Sequence, residues 1–185
     1  MGANATNAAF FLITTVFNLL IWALILRVLL QRMRADFYNP ISQMIWKVTR
    51  YPADFLRRVL PPWRNFNLAV MLVVVGACFL YVYVVVALLS LSVTPLAALL
   101  YAALKIIVMT LDLYTFTLFV QAMMSWLGPG VNNPASNILW SLNEPLLRPV
   151  RRVIPPLGGM DLSPLVLILA LQVLKLLVPL PGIFR

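Results

Sequence analysis

The chain contains no histidine. Imidazole bases, Ser–His and Cys–His nucleophile arrangements and histidine-based metal sites are therefore outside its chemistry. It has a single cysteine, Cys78, so no intramolecular disulfide can form, and its place inside an apolar run marks it as a packing residue. Charged residues make up only 10% of the chain, against roughly 25% in ordinary soluble domains. That excludes an ordinary soluble domain. No Lys or Arg precedes Arg27, so the first apolar run lacks the basic flank of a signal peptide and reads as a retained span.

What the chain has instead is apolar length. Apolar residues account for 63% of it. Four apolar runs, at residues 8–30, 68–91, 95–127 and 162–180, reach or approach the ~20 residues that cross a bilayer. The third is longer than one span requires; its membrane core is expected at 102–126, with 95–101 as an extra turn or tilted extension. The net charge of +9 is unevenly spread: eight of the 14 basic residues lie between Arg27 and Arg64, and Arg148, Arg151 and Arg152 share a second basic segment. The positive-inside rule then puts both basic segments in the cytoplasm and both termini outside.

The sequence also repeats itself. Shifted by 94 positions, residues 39–68 fall on residues 133–162 without a gap, and ten of the 30 pairs are identical. Among them are Asn39/Asn133, Pro40/Pro134, Trp46/Trp140, Arg57/Arg151, Arg58/Arg152, Pro61/Pro155 and Pro62/Pro156. Each copy lies between two apolar runs. The expected fold is an all-α membrane protein: four transmembrane helices in two tandem parallel repeats, each with a cytoplasmic amphipathic or interfacial helix. The first repeat, 1–94, carries spans at about 8–30 and 68–91 and a basic amphipathic segment at 39–60. The second, 95–185, carries spans at about 102–126 and 162–180 and its amphipathic segment at 133–154.

Each basic segment has the signals of a helix start. Asn39 and Asn133 suit the N-cap, and Pro40 and Pro134 fit the first helical position, where a missing N–H costs nothing. In copy one, Ile41, Met44, Ile45 and Val48 recur at helical spacing; in copy two Ala135, Ile138, Leu139 and Leu142 do the same. Trp46 and Trp140 are residues of the headgroup level. The pairs Pro61-Pro62 and Pro155-Pro156 end any helix and force a turn before the next span. Asp161 is placed to cap the last span near its positive end, with Asn67 in the matching place.

The second copy, S-W-L-G-P-G-V-N-N-P followed by N-E-P-L-L-R-P-V-R-R-V-I-P-P-L-G-G-M-D-L-S-P, resembles the signature of the YggT (YlmG-related) membrane protein family. The first copy, R-A-D-F-Y-N-P-I-S-Q followed by R-R-V-L-P-P, is similar to the first repeat of its two-repeat bacterial members, with Tyr51-Pro52-Ala53-Asp54 in place of the E-P-L-L stretch. The resemblance implies a small integral protein of the bacterial inner membrane. It implies links to cell division, to nucleoid or envelope organisation and to osmotic tolerance, and in plastid relatives to nucleoid distribution and assembly of membrane cytochromes. It brings no enzymatic activity, catalytic residues or cofactor.

Two readings stand at the arginines. Arg57, Arg58, Arg148, Arg151 and Arg152, with Trp46 and Trp140, either bind anionic lipid or an acidic partner, or serve as topology signals and interfacial anchors. Two also stand at the intramembrane polar groups Asn18, Lys105, Asp112 and Lys175. These form an ion or proton site, or a structural Asp–Lys bridge or interhelical hydrogen bond. Lys105 and Lys175 are expected toward the outer surface, able to snorkel. Gly158-Gly159-Met160-Asp161 is not the G-x-G-D of intramembrane aspartyl proteases, and Asp112 is expected at a different depth from Asp161. Aromatic residues fit membrane belts rather than stacking platforms, which argues against direct nucleic-acid binding. The function expected is a non-enzymatic inner-membrane accessory or scaffold, with no cofactor or metal, that works with anionic lipids and another membrane or division/envelope protein. The alternative is a small oligomeric channel or transporter for a cation or osmolyte, its pathway lined by Asn18, Asp112, Gln121 and Gln172.

Overall fold

A computed structural model of the chain describes residues 2–33, 38–57, 68–126, 133–154 and 161–185. Six α-helices and a short 3-10 turn follow in order: α1 (Gly2–Arg32), α2 (Pro40–Arg57), α3 (Leu68–Leu88), α4 (Pro95–Trp126), α5 (Pro134–Val153), α6 (Ser163–Leu177) and the turn Gly182–Phe184. Among the described residues there is no strand. The long helices α1, α3 and α4 are apolar on all sides, as helices surrounded by lipid and protein are. Each holds a stretch long and apolar enough to cross a membrane: Asn7–Arg32, Leu68–Leu88 and Pro95–Ser125. The extra residues at 95–101 simply continue α4, whose 32 residues form one helix.

The fourth expected span is shorter than its apolar run. Helix α6 has 15 residues, about 22 Å at 1.5 Å per residue, against roughly 30 Å of hydrocarbon. Pro179 and Pro181 stop it. Arg185 then folds back, its guanidinium donating to the carbonyls of Val178 at 3.0 Å and Leu180 at 3.3 Å, so that cationic charge sits near the negative end of the helix.

Local chemistry sets the other ends. The Asn39 side chain accepts from the Ile41 N–H at 3.0 Å, and Asn133 accepts from Ala135 at 3.1 Å; Pro40 and Pro134 are the first helical residues. Helix α3 closes with Ser90 in the left-handed region (φ 54°). Leu91 N–H donates to Val86 at 2.9 Å and Ser90 N–H to Ala87 at 3.2 Å, a Schellman closure. Four residues later Thr94 caps α4, accepting from the Ala97 N–H, with Pro95 first in the helix.

Packing follows chain order within each half. Helices α1, α2 and α3 touch one another, as do α4, α5 and α6. The halves meet where α3 and α1 contact α4, and where α1 and α2 contact α5. At the α1–α4 contact the rings of Trp22 and Phe116 stand 5.6 Å apart. These two positions are themselves related by the 94-residue shift. The main core gathers Ile21, Leu24, Cys78, Val82, Val85, Ala98 and Ala102 from α1, α3 and α4, with Leu180 and Phe184 folded onto it.

One expected stripe is divided. On α5, Ile138, Leu139 and Leu142 are all buried. On α2, Ile45 is buried but Met44 and Val48 are 61% and 58% exposed. The spacing of apolar residues located the helix correctly; it did not reveal that α2 is apolar on two sides.

Candidate functional site

Among the described residues the densest cluster of charge lies where α5 meets α6. Glu144 and Arg151 are seven residues apart and therefore on one side of α5. Arg151 Nη1 donates to Glu144 Oε2 at 2.7 Å, and its Nε donates to Asp161 Oδ2 at 2.8 Å. The other Asp161 oxygen accepts the Ser163 N–H at 2.9 Å, at the first residue of α6. Burial alone would raise the Asp161 carboxyl, but hydrogen bonds from Ser163 and Arg151, with the Arg151 charge, hold it below the usual carboxylate range. Arg151 thus fastens the end of α5 to the start of α6, so its guanidinium faces two internal carboxylates. Arg148, Arg152 and Trp140 are exposed on α5, Trp140 at 58%.

A buried polar bridge ties α4 to α5. Asn143 is fully buried; its Oδ1 accepts from Thr117 at 2.9 Å and its Nδ2 donates to Gln121 at 2.8 Å. In the first half Arg27 of α1, also buried, donates from Nη1 to Thr49 of α2 at 3.0 Å. Arg27 and Gln121 differ by 94 positions, and so do Thr49 and Asn143. The same joint is therefore built twice with different groups. None of these four was singled out as a joint from sequence. The signal was present, since both copies place a polar residue at both positions within apolar surroundings.

Among the described residues, two of the intramembrane groups form an ion pair between helices, and a third is buried without one. Asp112 of α4 pairs with Lys175 of α6, an Asp–Lys bridge between two helices. Lys105 does not snorkel. It is fully buried between α4 and α3, with Nζ 4.4 Å from the centroid of the Tyr81 ring and no hydrogen-bond partner among the described residues. The core formed by α1, α3 and α4 closes around it. Gln172 lies 3.5 Å from the Thr115 hydroxyl and Gln121 bonds Asn143, so three of the four expected pathway residues, Asp112, Gln121 and Gln172, are engaged pairwise within the second half. Asn18, the counterpart of Asp112, lies on α1 with its Oδ1 buried and unpartnered among the described residues. Asp112 and Asp161 do not meet: Lys175, the partner of Asp112, lies 12 residues beyond Ser163 on α6, about 18 Å away along the axis.

The remaining candidates divide between described and undescribed residues. Asn39 Nδ2 reaches the Pro134 carbonyl at 2.6 Å, so the starts of α2 and α5 touch. Trp46 is half-buried, with Arg50 over its ring at 5.4 Å, and Arg50 also bonds Asp54 at 3.0 Å. Arg57 ends α2, its side chain outside the described residues. Arg58, Pro61, Pro62, Pro155 and Pro156 also lie outside the described residues. Among the described residues no three His, Cys, Asp or Glu side chains group as a metal site. A cleft of about 400 Å³ lies between α1, α3 and the C-terminal turn, lined by Asn7, Phe10, Thr14, Tyr81 and Arg185 among others.

The CCB3/YggT family matches residues 6–89 and again residues 100–181, two segments whose starts are separated by the same 94 positions as the internal repeat. The chain belongs to the CCB3/YggT family. Among its relatives is the uncharacterized protein YggT of Escherichia coli (strain K12), 39% identical over 171 residues, covering 92% of this chain and 88% of that one. A Vibrio alginolyticus protein named for the proC 3′ region is 39% identical over 168 residues, 90% of each chain. A Haemophilus influenzae relative is 35% identical over 166 residues, covering 88% of this chain and 87% of that one. No solved structure matches. Three apolar helices of membrane-spanning length accord with a membrane protein of this family.

Proposed function

We propose that this CCB3/YggT protein is a non-enzymatic scaffold of the bacterial inner membrane, built as two parallel repeats with four spans. In this reading α1 and α3 span in the first repeat, α4 and α6 in the second, and α2 and α5 are cytoplasmic arms. Both termini are then periplasmic. The doubled family match and the doubled joint between each long helix and its arm support two equivalent units. The C-terminal segment supports a spanning role for α6, because Leu180 and Phe184 extend it along the core to Phe184. The scaffold would serve division, envelope or nucleoid organisation, and through them osmotic tolerance.

One observation carries the scaffold reading. Apart from Lys105, which is buried against the Tyr81 ring, the internal ionisable groups of the second half are held by one another, as Asp112–Lys175 and Glu144–Arg151–Asp161, whereas Arg148 and Arg152 are displayed on α5, which also exposes Trp140. Exposed arginine with tryptophan is the composition of interface hot spots, and charge-assisted contacts from the two guanidiniums would recognise an acidic partner. Arg151, which holds the corner, is assigned to structure.

The test is in-cell photo-crosslinking from position 149. The expected result is a near-stoichiometric protein partner, lost in Arg148→Ala/Arg152→Ala while the protein accumulates normally. Crosslinks to lipid or to itself alone would count against a scaffold. Strict dependence of an ion flux on Asp112, tested with Asp112→Asn, would establish the channel or transporter reading instead.

A further inference from the structure

The uncovered side of α2 can be assigned by comparison with its counterpart. Met44, Val48 and Tyr51 lie at spacings of four and three, and so on one side of the helix. They are 61%, 58% and 84% exposed. The positions matching Met44 and Val48 on α5 are Ile138 and Leu142, which are 6% and 0% exposed. Ile138 is covered by protein: Leu26 and Leu30 of α1 and Ile41 and Ile45 of α2 pack around it. A surface that one repeat seals against protein is left open in the other.

The residues around the opening identify what closes it. Lys47 and Arg50 are exposed within the same stretch of α2. The Arg50–Asp54 pair engages the nearby carboxylate, and among the described residues no ion pair compensates Lys47. The opposite side of α2 packs on α1 and α3, two helices of membrane-spanning length. Apolar side chains interleaved with cations, on a helix held against two spans, match the boundary between acyl chains and anionic headgroups. A second copy of this chain fits poorly, because a two-fold contact through this side of α2 would bring the Lys47 cations of both copies into one small interface.

We infer that the Met44–Val48–Tyr51 side of α2, with Lys47 and Arg50, is a seat for anionic phospholipid, so that α2 lies on the membrane while α5 is left for a partner. The inference rests on the proposed placement of α2 at the cytoplasmic surface. It makes the two arms unequal: one anchors, the other docks.

The experiment uses the full chain with Cys78→Ala, a spin label at Val48→Cys or at Tyr51→Cys, and nanodiscs of phosphatidylcholine with or without phosphatidylglycerol. Collision with oxygen and with a water-soluble nickel chelate reports depth. Both labels should be oxygen-dominated and should move deeper with phosphatidylglycerol, and Lys47→Gln/Arg50→Gln should abolish that dependence. Bound phosphatidylglycerol retained by the purified protein should fall by about fivefold for each charge removed. Nickel-dominated labels, depth indifferent to phosphatidylglycerol, or spin–spin broadening between copies would each overturn the inference. None of these outcomes touches the α5 crosslink, so the two proposals fail separately.

Discussion

In the first half, α1 holds its short helix through a buried cation, Arg27 on Thr49; 94 positions later α4 holds its own through neutral groups, Gln121 and Thr117 on Asn143. Further along, the halves differ in charge as well. Arg50 and Asp54 stand in α2 where Glu144 and Arg148 stand in α5. Arg50 bonds Asp54 within its own helix, whereas Glu144 reaches forward to Arg151 and, through it, to Asp161 ahead of α6. A shared geometry thus carries two chemistries. The constant requirement is a polar joint at one depth between long helix and arm, since a buried polar group demands a partner there whatever its identity. The variable part is what the far end of each arm does: α5 is fastened to the following helix by Glu144, Arg151 and Asp161, whereas the first-half positions matching the two carboxylates are Arg50 and Asn67.

The largest effect should come from removing that fastening. Arg151→Ala leaves two carboxylates facing each other and should lower stability by about 2 kcal/mol, with the exposed part of the site screened by water. Arg57→Ala, its counterpart, should cost under about 0.5 kcal/mol, because Arg50 and Asn67 stand where the second half has Glu144 and Asp161. Cys78 is fully buried, so its reaction with a maleimide on heating in detergent reports both values without added labels. Equal costs would break the comparison.

Next comes the joint itself. Asn143→Leu strands Gln121 and leaves the Thr117 hydroxyl only the Tyr114 carbonyl, and should cost about 1–2 kcal/mol. Transplanting the neutral joint into the first half, Arg27→Gln with Thr49→Asn, should be tolerated to within about 1 kcal/mol if position rather than charge is what the fold needs. A double variant that fails to insert would show that the first half depends on the cation.

Lys105 offers a third contrast, since the matching residue is Phe11. Lys105→Met replaces a buried ammonium by an apolar chain of similar length, a kind of change that is often neutral or stabilising by about 1–4 kcal/mol. The same thiol assay should show a higher melting temperature, and a loss of stability would give Lys105 a partner of structural weight.

The smallest effect is on pH. The Asp161 carboxyl is held low, so its contribution is complete above its unfolded pKa of about 3.9 and fades as pH falls through the lower folded value. Melting of the wild type should therefore vary little through this group from about pH 5 to 8 and decline in acid. Asp161→Asn should lower stability at neutral pH and lessen the acid decline.

Much of this arrangement was legible in the sequence. The helix starts at Pro40 and Pro134 were visible because Asn-Pro is a local signal that needs no tertiary partner. The long helices were visible as apolar runs. Three features were missed, the last two because they depend on packing. Proline at 179 and 181 ends α6 inside an apolar run that hydropathy alone extends to 180. Lys105 reads as a snorkelling residue until the core around Tyr81 encloses it. The division of the α2 stripe could not be read from spacing, since Met44 and Val48 keep helical periodicity whether covered or open. The arginine pairs were conspicuous by repetition, yet repetition did not separate Arg151, turned inward, from the exposed Arg152.

The account stands on both arms lying on one side of the membrane, the cytoplasmic one. Single cysteines at Gln43 on α2 and Asn137 on α5, both exposed positions, placed in a Cys78→Ala background, test this with a membrane-impermeant maleimide. Both should be protected in intact cells with a permeabilised outer membrane and both should react in inverted inner-membrane vesicles. Labelling of one residue alone in the intact cells would put the arms on opposite sides and contradict the parallel-repeat arrangement, and labelling of both would contradict their cytoplasmic placement.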